Sequence, residues 1–281
     1  MSVLNIDLHA HSCISDGVLT PSQVVARAVE RGVDVLALTD HDDTSGLAEA
    51  YDSAQVLGLR LINGVEISVS WYTHTLHIVG LGIDPHHDAL QAGLAGLREG
   101  RKQRAVNMAA QLQRFGIHDA LEGAWQQAGN PELIGRLHFA RFLVASGVCK
   151  DVAAVFKRYL SKGKPGYVAH QWADLADAVG WIRASGGQAV IAHPGRYELS
   201  VGKMQALLSQ FKQLGGEGIE VVTSSHTPDQ YLRFGKLALQ FSLLSSRGSD
   251  FHTPEDVYRD LGRLPQLPVT CTPIWHNWML H

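Results

Sequence analysis

Imidazoles and carboxylates recur along this chain just where apolar runs give way to loop sequence. They are His9 and His11 with Asp16, His41 beside Asp40, Glu66, His77, His193, and Asp250 with His252. Within an extended segment, residues two apart project to the same side, so His9 and His11 form a pair, while Leu4, Ile6 and Leu8 on the other face are expected to meet a helix layer. Six segments carrying one kind of chemistry predict a single rim of metal ligands. Every donor is nitrogen or oxygen, which suits Mn²⁺, Zn²⁺ or Fe²⁺ and argues against a soft thiolate site.

The elements that must carry this rim can be read from periodicity. Strand-like runs are expected at Val3–His9, Val33–Asp40, Leu59–Glu66, Thr73–Leu81, Gln188–His193, Gly218–Thr223 and Phe241–Ser246. Amphipathic stretches at Pro21–Arg31, Ser45–Leu57, Leu175–Ser185, Val201–Leu214 and Pro228–Leu239 alternate with them, the pattern of a parallel α/β fold. Pro21 after Thr20 reads as a first helical residue following its cap. Because the candidate ligands other than His77, which lies inside its run, fall at or beyond the C-terminal ends of these runs, a distorted seven-stranded (β/α) barrel is expected rather than an open doubly wound sheet.

Residues 98–166 break the alternation with helical patterns at Leu94–Phe115, Leu121–Ala128, Pro131–Ser146 and Asp151–Leu160. They read as a small helical insertion domain between two barrel parts, 1–97 and 167–281. Charge sharpens this division. The net charge of −3 conceals 12 Lys+Arg against 5 Asp+Glu between Arg98 and Lys164, which leaves 12 against 22 elsewhere. A basic segment beside an acidic metal rim is suited to an anionic substrate.

At 281 residues and 45% hydrophobic content the chain can bury a sizeable core. Three scattered cysteines, Cys13, Cys149 and Cys271, indicate neither a disulfide framework nor a cysteine zinc site. Neither a secretory leader nor a membrane-length apolar run is apparent, so a cytoplasmic protein without membrane association is expected.

Ordered motifs carry a further reading. His9-Ala10-His11-Ser12, Ser15-Asp16-Gly17, Thr39-Asp40-His41-Asp42, Gly64-Val65-Glu66-Ile67-Ser68, Ala192-His193-Pro194 and Gly248-Ser249-Asp250-Phe251-His252 together resemble the PHP (polymerase and histidinol phosphatase) metallophosphoesterase superfamily. Ile134–Arg141, Gly163–Val168 and Ala192–Tyr197 are similar to its bacterial branch of nucleoside 3′,5′-bisphosphate phosphatases and ribonuclease AM. The resemblance implies a PHP-type barrel holding two or three metals, with Mn²⁺ preferred. His9, His11, Glu66 and Asp250 would form one site, Glu66 would bridge to a second with His77 and His193, and Asp16, His41 and His252 would form a third. Many relatives have His in place of Asp16, which implies a third site that is weaker or takes a different metal.

Asp40 is expected to orient the His41 imidazole without itself binding metal. His226 is a candidate general acid. For substrate the candidates are Arg101 and Arg104, which share a helix face with Arg98, together with Lys102, and Arg136, His138, Lys164 and Arg196 in the branch motifs.

The implied reaction is hydrolysis of a phosphoric ester by hydroxide held on the metals. It would remove the 3′-phosphate of a nucleoside 3′,5′-bisphosphate and act on short 5′-phosphorylated RNA, with no obligate protein partner. Hydrolysis of histidinol phosphate and a non-catalytic metal- or nucleic-acid-binding PHP module are the alternatives. The basic insertion argues against the first, and the complete ligand set against the second.

Overall fold

Seven strands follow one another round a nearly closed barrel. The computed structural model describes residues 4–128 and 130–278, so Val3, where the first run was expected to begin, and His281 lie outside the described residues. The strands are β1 (Ile6–Asp7), β2 (Val35–Leu38), β3 (Arg60–Trp71), β4 (His74–Leu81), a short β5 (Ala173–Asp174), β6 (Gln188–Ile191), β7 (Gly218–Thr223) and β8 (Leu244–Gly248). Their order is β1-β2-β3-β4-β6-β7-β8, with β5 paired only to β3. Beyond the paired residues β8 returns to β1: the Leu8 amide donates to the Arg247 carbonyl at 3.0 Å and the Asp250 amide to the His9 carbonyl at 2.9 Å.

The sheet is not wholly parallel, as the α/β alternation had predicted. β4 runs antiparallel to both β3 and β6. Only Tyr72 and Thr73 separate β3 from β4, and a parallel crossover needs a dozen or more residues. Even the six residues between the expected runs Leu59–Glu66 and Thr73–Leu81 are too few for a parallel crossover, although the sequence did not show that β3 extends to Trp71.

Outside the barrel lie α1 (Pro21–Glu30), α2 (Leu47–Leu57), α7 (Leu175–Ala184), α8 (Val201–Gln213) and α9 (Pro228–Gln240). Thr20 caps α1 in a reciprocal box with Gln23, and Pro21 takes the first helical position, as read from the sequence. The outward rows of the strands, including Leu36, Leu38, Ile78 and Ile191, share one core with Val24, Val25 and Ile182 of these helices.

The inward rows form a separate core of Val35, Ala37, Val79, Leu81, Val190 and Ala192. Ile6 and Leu8 belong to this inner core rather than to the helix layer expected for them, and Leu4 is exposed. Pairing of β1 stops at Asp7, and the alternation of faces resets after Leu8, so His9 follows Leu8 into the barrel interior. Ile274 joins the same core, while the Trp278 indole donates to Gln188 at the start of β6, closing the end opposite the ligand rim.

α3 (Asp88–Gln113) begins before the expected Leu94 and joins two cores. Leu90, Leu94 and Leu97 pack on the barrel helices, whereas Met108 and Leu112 pack with Phe139, Leu143 and Leu160. α4 (Ala120–Gln126), a 3₁₀ turn at Pro131–Leu133, α5 (Arg136–Ala145), α6 (Val152–Val155) and a π turn at Phe156–Leu160 complete this region. No helix of the described residues is long and apolar enough to cross a membrane.

Candidate metal centre

Glu66 is the hub of the site. Its Oε2 lies 3.3 Å from both His9 Nε2 and His11 Nε2 and 3.0 Å from His41 Nδ1. On the other oxygen, His77 Nδ1 and His193 Nε2 each approach Oε1 to 2.9 Å. Asp250 Oδ1 stands 3.3 Å from His11 Nε2 and 3.6 Å from His9 Nε2. Asp16 Oδ1 is 3.1 Å from His252 Nε2, and its Oδ2 is 3.8 Å from His41 Nε2. All nine sequence-derived ligand candidates therefore come together, with His41 lying between Glu66 and Asp16.

The strand ends account for only part of this rim. Glu66 and His77 sit inside β3 and β4, not at their ends, because β3 continues well past its last partner in β2, Leu38 opposite Asn63. On that overhang the backbone of His41 forms a bridge with Glu66, with the Glu66 amide donating to Asp40 O and the Asp42 amide to Glu66 O. His193, Asp250 and Asp42 all have positive φ, at 26°, 56° and 50°. Left-handed backbone is uncommon outside glycine, and three of the six such residues among those described fall at this site. β8 approaches closely as well: a Cβ on Gly248 would fall 2.2 Å from that of His9, so only glycine fits.

Supporting hydrogen bonds aim the donors. Glu220 accepts from His9 Nδ1 at 2.8 Å and from the His193 amide at 2.5 Å. It thereby presents His9 Nε2 to the centre. Asp40 does not touch the His41 imidazole as expected. It accepts from the Ser12 amide and hydroxyl and from Ser15 Oγ at 2.6 Å, and Ser15 lies 3.4 Å from His11 Nδ1, so it orders the loop carrying His11 and Asp16. Glu220→Gln should lower metal affinity roughly 10- to 100-fold with little change in fold, measured by metal titration and circular dichroism; unchanged affinity would deny Glu220 this role.

The donor spacing fits metal ions. Ligands at about 2.1 Å around a tetrahedral ion lie about 3.4 Å from one another. The five cross-distances among His9, His11, Glu66 and Asp250 that involve an imidazole are 3.1–3.6 Å, and the buried Glu66 Oε2 has no hydrogen-bond partner among the described residues. Against the cost of burial, the imidazoles of His77, His41 and His9 hold Glu66 well below the usual carboxylate range, and His252, His11 and Arg196 do the same for Asp250. Burial alone would depress His11, yet the carboxylates of Asp250 and Glu66 beside it raise it to about 10.

The PHP domain family model matches residues 7–164. A 3′,5′-nucleoside bisphosphate phosphatase of Chromobacterium violaceum is 54% identical over 273 residues, spanning 97% of this chain and 96% of that protein. The chain belongs to the PHP domain family. The 5′-3′ exoribonuclease Rnm of Escherichia coli is 44% identical over 274 residues, 97% of this chain and 93% of its own. A solved structure of an amidohydrolase from Chromobacterium violaceum, with bound sulfate and no metal, matches at a TM-score of 0.93 and 54% identity, covering 96% of this chain and 94% of that one.

In this PHP chain the ligand cluster opens into a cleft of about 450 Å³, lined also by Arg101, Arg104, Arg136 and Arg196. Arg196 donates to Asp250 Oδ2 at 2.7 Å and is 46% exposed, so it reaches both the cluster and the cleft. Arg101 is buried and donates through Nε to Asp42 Oδ2 at 2.8 Å and through Nη2 to Ser68 Oγ at 2.9 Å, which makes it largely a brace for β3. Asp42 was not singled out by sequence, although it stands in the Thr39-Asp40-His41-Asp42 motif.

Other candidates lie elsewhere. Lys102 pairs with Glu132 at 2.8 Å, Lys164 is exposed, and neither lines the cleft. His138 is buried and accepts from the Gly135 amide at 3.0 Å, capping α5; burial lowers its pKa to about 4, which keeps the ring neutral for that bond. His226, the candidate general acid, is placed otherwise as well. Its Nε2 accepts from the Gly195 amide at 2.9 Å, its Nδ1 donates to Val221 O at 3.0 Å, and it lies outside the cleft lining. It holds the loop after His193 and has no free ring nitrogen to offer a leaving oxygen.

Proposed function

We propose that this chain is a metal-dependent hydrolase that removes the 3′-phosphate from nucleoside 3′,5′-bisphosphates, leaving 5′-nucleotides, and that the same cleft admits the 5′ end of short 5′-phosphorylated RNA. The observation that carries this reading is a pair of half-buried guanidiniums, Arg104 and Arg136, in the cleft beside the ligand cluster. Neither pairs with a carboxylate among the described residues. Burial, with Arg136 and Arg101 nearby, lowers Arg104 to about 10, the signature of cations lacking a counter-ion. The names of the two relatives agree with this reading.

His9, His11, Asp16, His41, Glu66, His77, His193, Asp250 and His252 would hold the ions, Mn²⁺ in our reading. When bound, such ions neutralise a phosphoryl group and lower the pKa of water. Arg196 would steady the phosphoryl group at the cluster edge while balancing Asp250. Arg104 and Arg136, supplied by the 98–166 insertion, would grip the spared 5′-phosphate, so that two anchored phosphates fix the 3′ ester in place. A cationic amino alcohol such as histidinol would meet guanidiniums here and fits poorly. We place the protein in the cytoplasm.

A phosphate-release screen with Mn²⁺ tests the assignment by comparing 3′,5′-bisphosphates, 3′- and 5′-monophosphates, histidinol phosphate and short 5′-phosphorylated RNA. Equal rates across them would refute it. Arg136→Ala should raise KM for the bisphosphate about tenfold or more, since a hydrogen bond between charged groups is lost, and leave bound metal unchanged. Loss of metal in that variant would place Arg136 in the cluster instead.

A further inference from the structure

A second groove, of about 610 Å³, leaves the cleft and shares Thr75, Tyr167 and His170 with it. It starts close to the metal cluster. Thr75 lies two residues from His77 on the same face of β4, a separation of about 7 Å along a strand. From there the groove runs beside the tip of the β3–β4 hairpin, where Tyr72 is 85% exposed and has a φ of 50°. A large aromatic residue at positive φ is strained, and the expected occupant of such a turn is glycine or asparagine. The Tyr72 ring stands edge-on to Trp71 at 4.8 Å and turns its remaining surface to solvent.

Cations flank the groove. Lys162 lines it, and Lys203 Nζ stands 3.4 Å from His74 Nε2 at its edge. Among the described residues Asp174 is the one carboxylate lining it, and Glu198 acts on His74 from outside. An exposed aromatic face with ammonium groups beside it is the combination that binds single-stranded nucleic acid with little regard to sequence.

We propose that this groove receives the nucleotide on the 3′ side of the scissile phosphate when the substrate is single-stranded RNA, with Tyr72 stacking on its base and Lys162 and Lys203 facing the backbone phosphate. The inference rests on the phosphatase reading above and names how that same site takes a strand. In both substrates water adds to phosphorus and the P–O3′ bond breaks, with O3′ leaving on the 5′-nucleotide and taking up the proton. With a bisphosphate the departing phosphoryl group is free phosphate; with RNA it remains joined to the next nucleoside through its 5′ oxygen. The strand must therefore leave from the metal cluster, and the groove meets the cleft at Thr75, two residues from His77, as well as at Tyr167 and His170, which lie beside Arg104.

The test compares kcat/KM for a 5′-phosphorylated trinucleotide and for a nucleoside 3′,5′-bisphosphate, both with Mn²⁺. Tyr72→Ala and the Lys162→Ala/Lys203→Ala pair should each lower the trinucleotide value roughly tenfold, and leave the bisphosphate value within about twofold of wild type. Tyr72→Phe should retain trinucleotide activity. Tyr72→Asn, which suits the left-handed turn, should lose it as alanine does. Unchanged trinucleotide hydrolysis, an equal fall on both substrates, or recovery with asparagine would overturn the proposal. Wild-type protein that hydrolyses neither substrate would overturn the phosphatase reading itself.

Discussion

Glu66→Gln is expected to abolish turnover and metal binding together. Both carboxylate oxygens of Glu66 face imidazoles, Oε2 those of His9, His11 and His41 and Oε1 those of His77 and His193. The amide keeps the volume but removes the negative charge and turns an NH₂ toward nitrogen donors. Charge stabilisation by bound ions contributes several kcal/mol to phosphoryl transfer, so kcat should fall about 10³-fold or more. Elemental analysis of the purified variant should show the metal depleted, while circular dichroism stays native. A variant that retained a tenth of wild-type activity with full metal content would remove Glu66 from the centre of the mechanism.

Metal uptake should be steeply pH-dependent and should release protons. In the metal-free protein Glu220 and Glu66 outweigh burial to raise His9 well above its ordinary pKa, and His11 lies at about 10. Near neutral pH the coupled His9–His11 pair holds a proton that a cation must displace. Apparent affinity should then rise between about tenfold and a hundredfold per pH unit between pH 6 and 8, one or two protons being lost per ion bound.

Stability follows the same sign. A raised imidazole pKa stabilises the metal-free fold fully below the unfolded value near 6.5, and this contribution fades as pH climbs toward the folded values. The depressed carboxylates of Glu66, Asp250 and Asp16 act oppositely, stabilising above their ordinary range and failing in acid. Added Mn²⁺ should accordingly raise Tm more at pH 8.5 than at pH 6. An equal shift at both values, or calorimetry showing no proton release across buffers of different ionisation enthalpy, would contradict it.

The hairpin and the first strand show how far pattern alone carries. β3 and β4 were both recognised as strands, but their antiparallel pairing depended on the two-residue link rather than on hydropathy, which cannot report strand direction. At β1 the alternation of Ile6 and Leu8 was correct and its side was reversed, because a period of two does not say which face is the core. Among the polar residues, ligand candidates were legible by residue type and position, whereas supporting groups were not. Glu220 and Asp42 are ordinary acids in strand and loop sequence until the barrel closes and aims them at His9 and Arg101.

By itself, then, the sequence determined the donor set, the α/β class and the basic character of residues 98–164, all of which are local in residue type and spacing. Tertiary structure alone decided which cations face the cleft, what Asp40 and His226 hold, and that a groove leads away from His77 past Tyr72. Those outcomes depend on distances between residues far apart in the chain, set by where β3 overhangs β2 and where β8 meets β1.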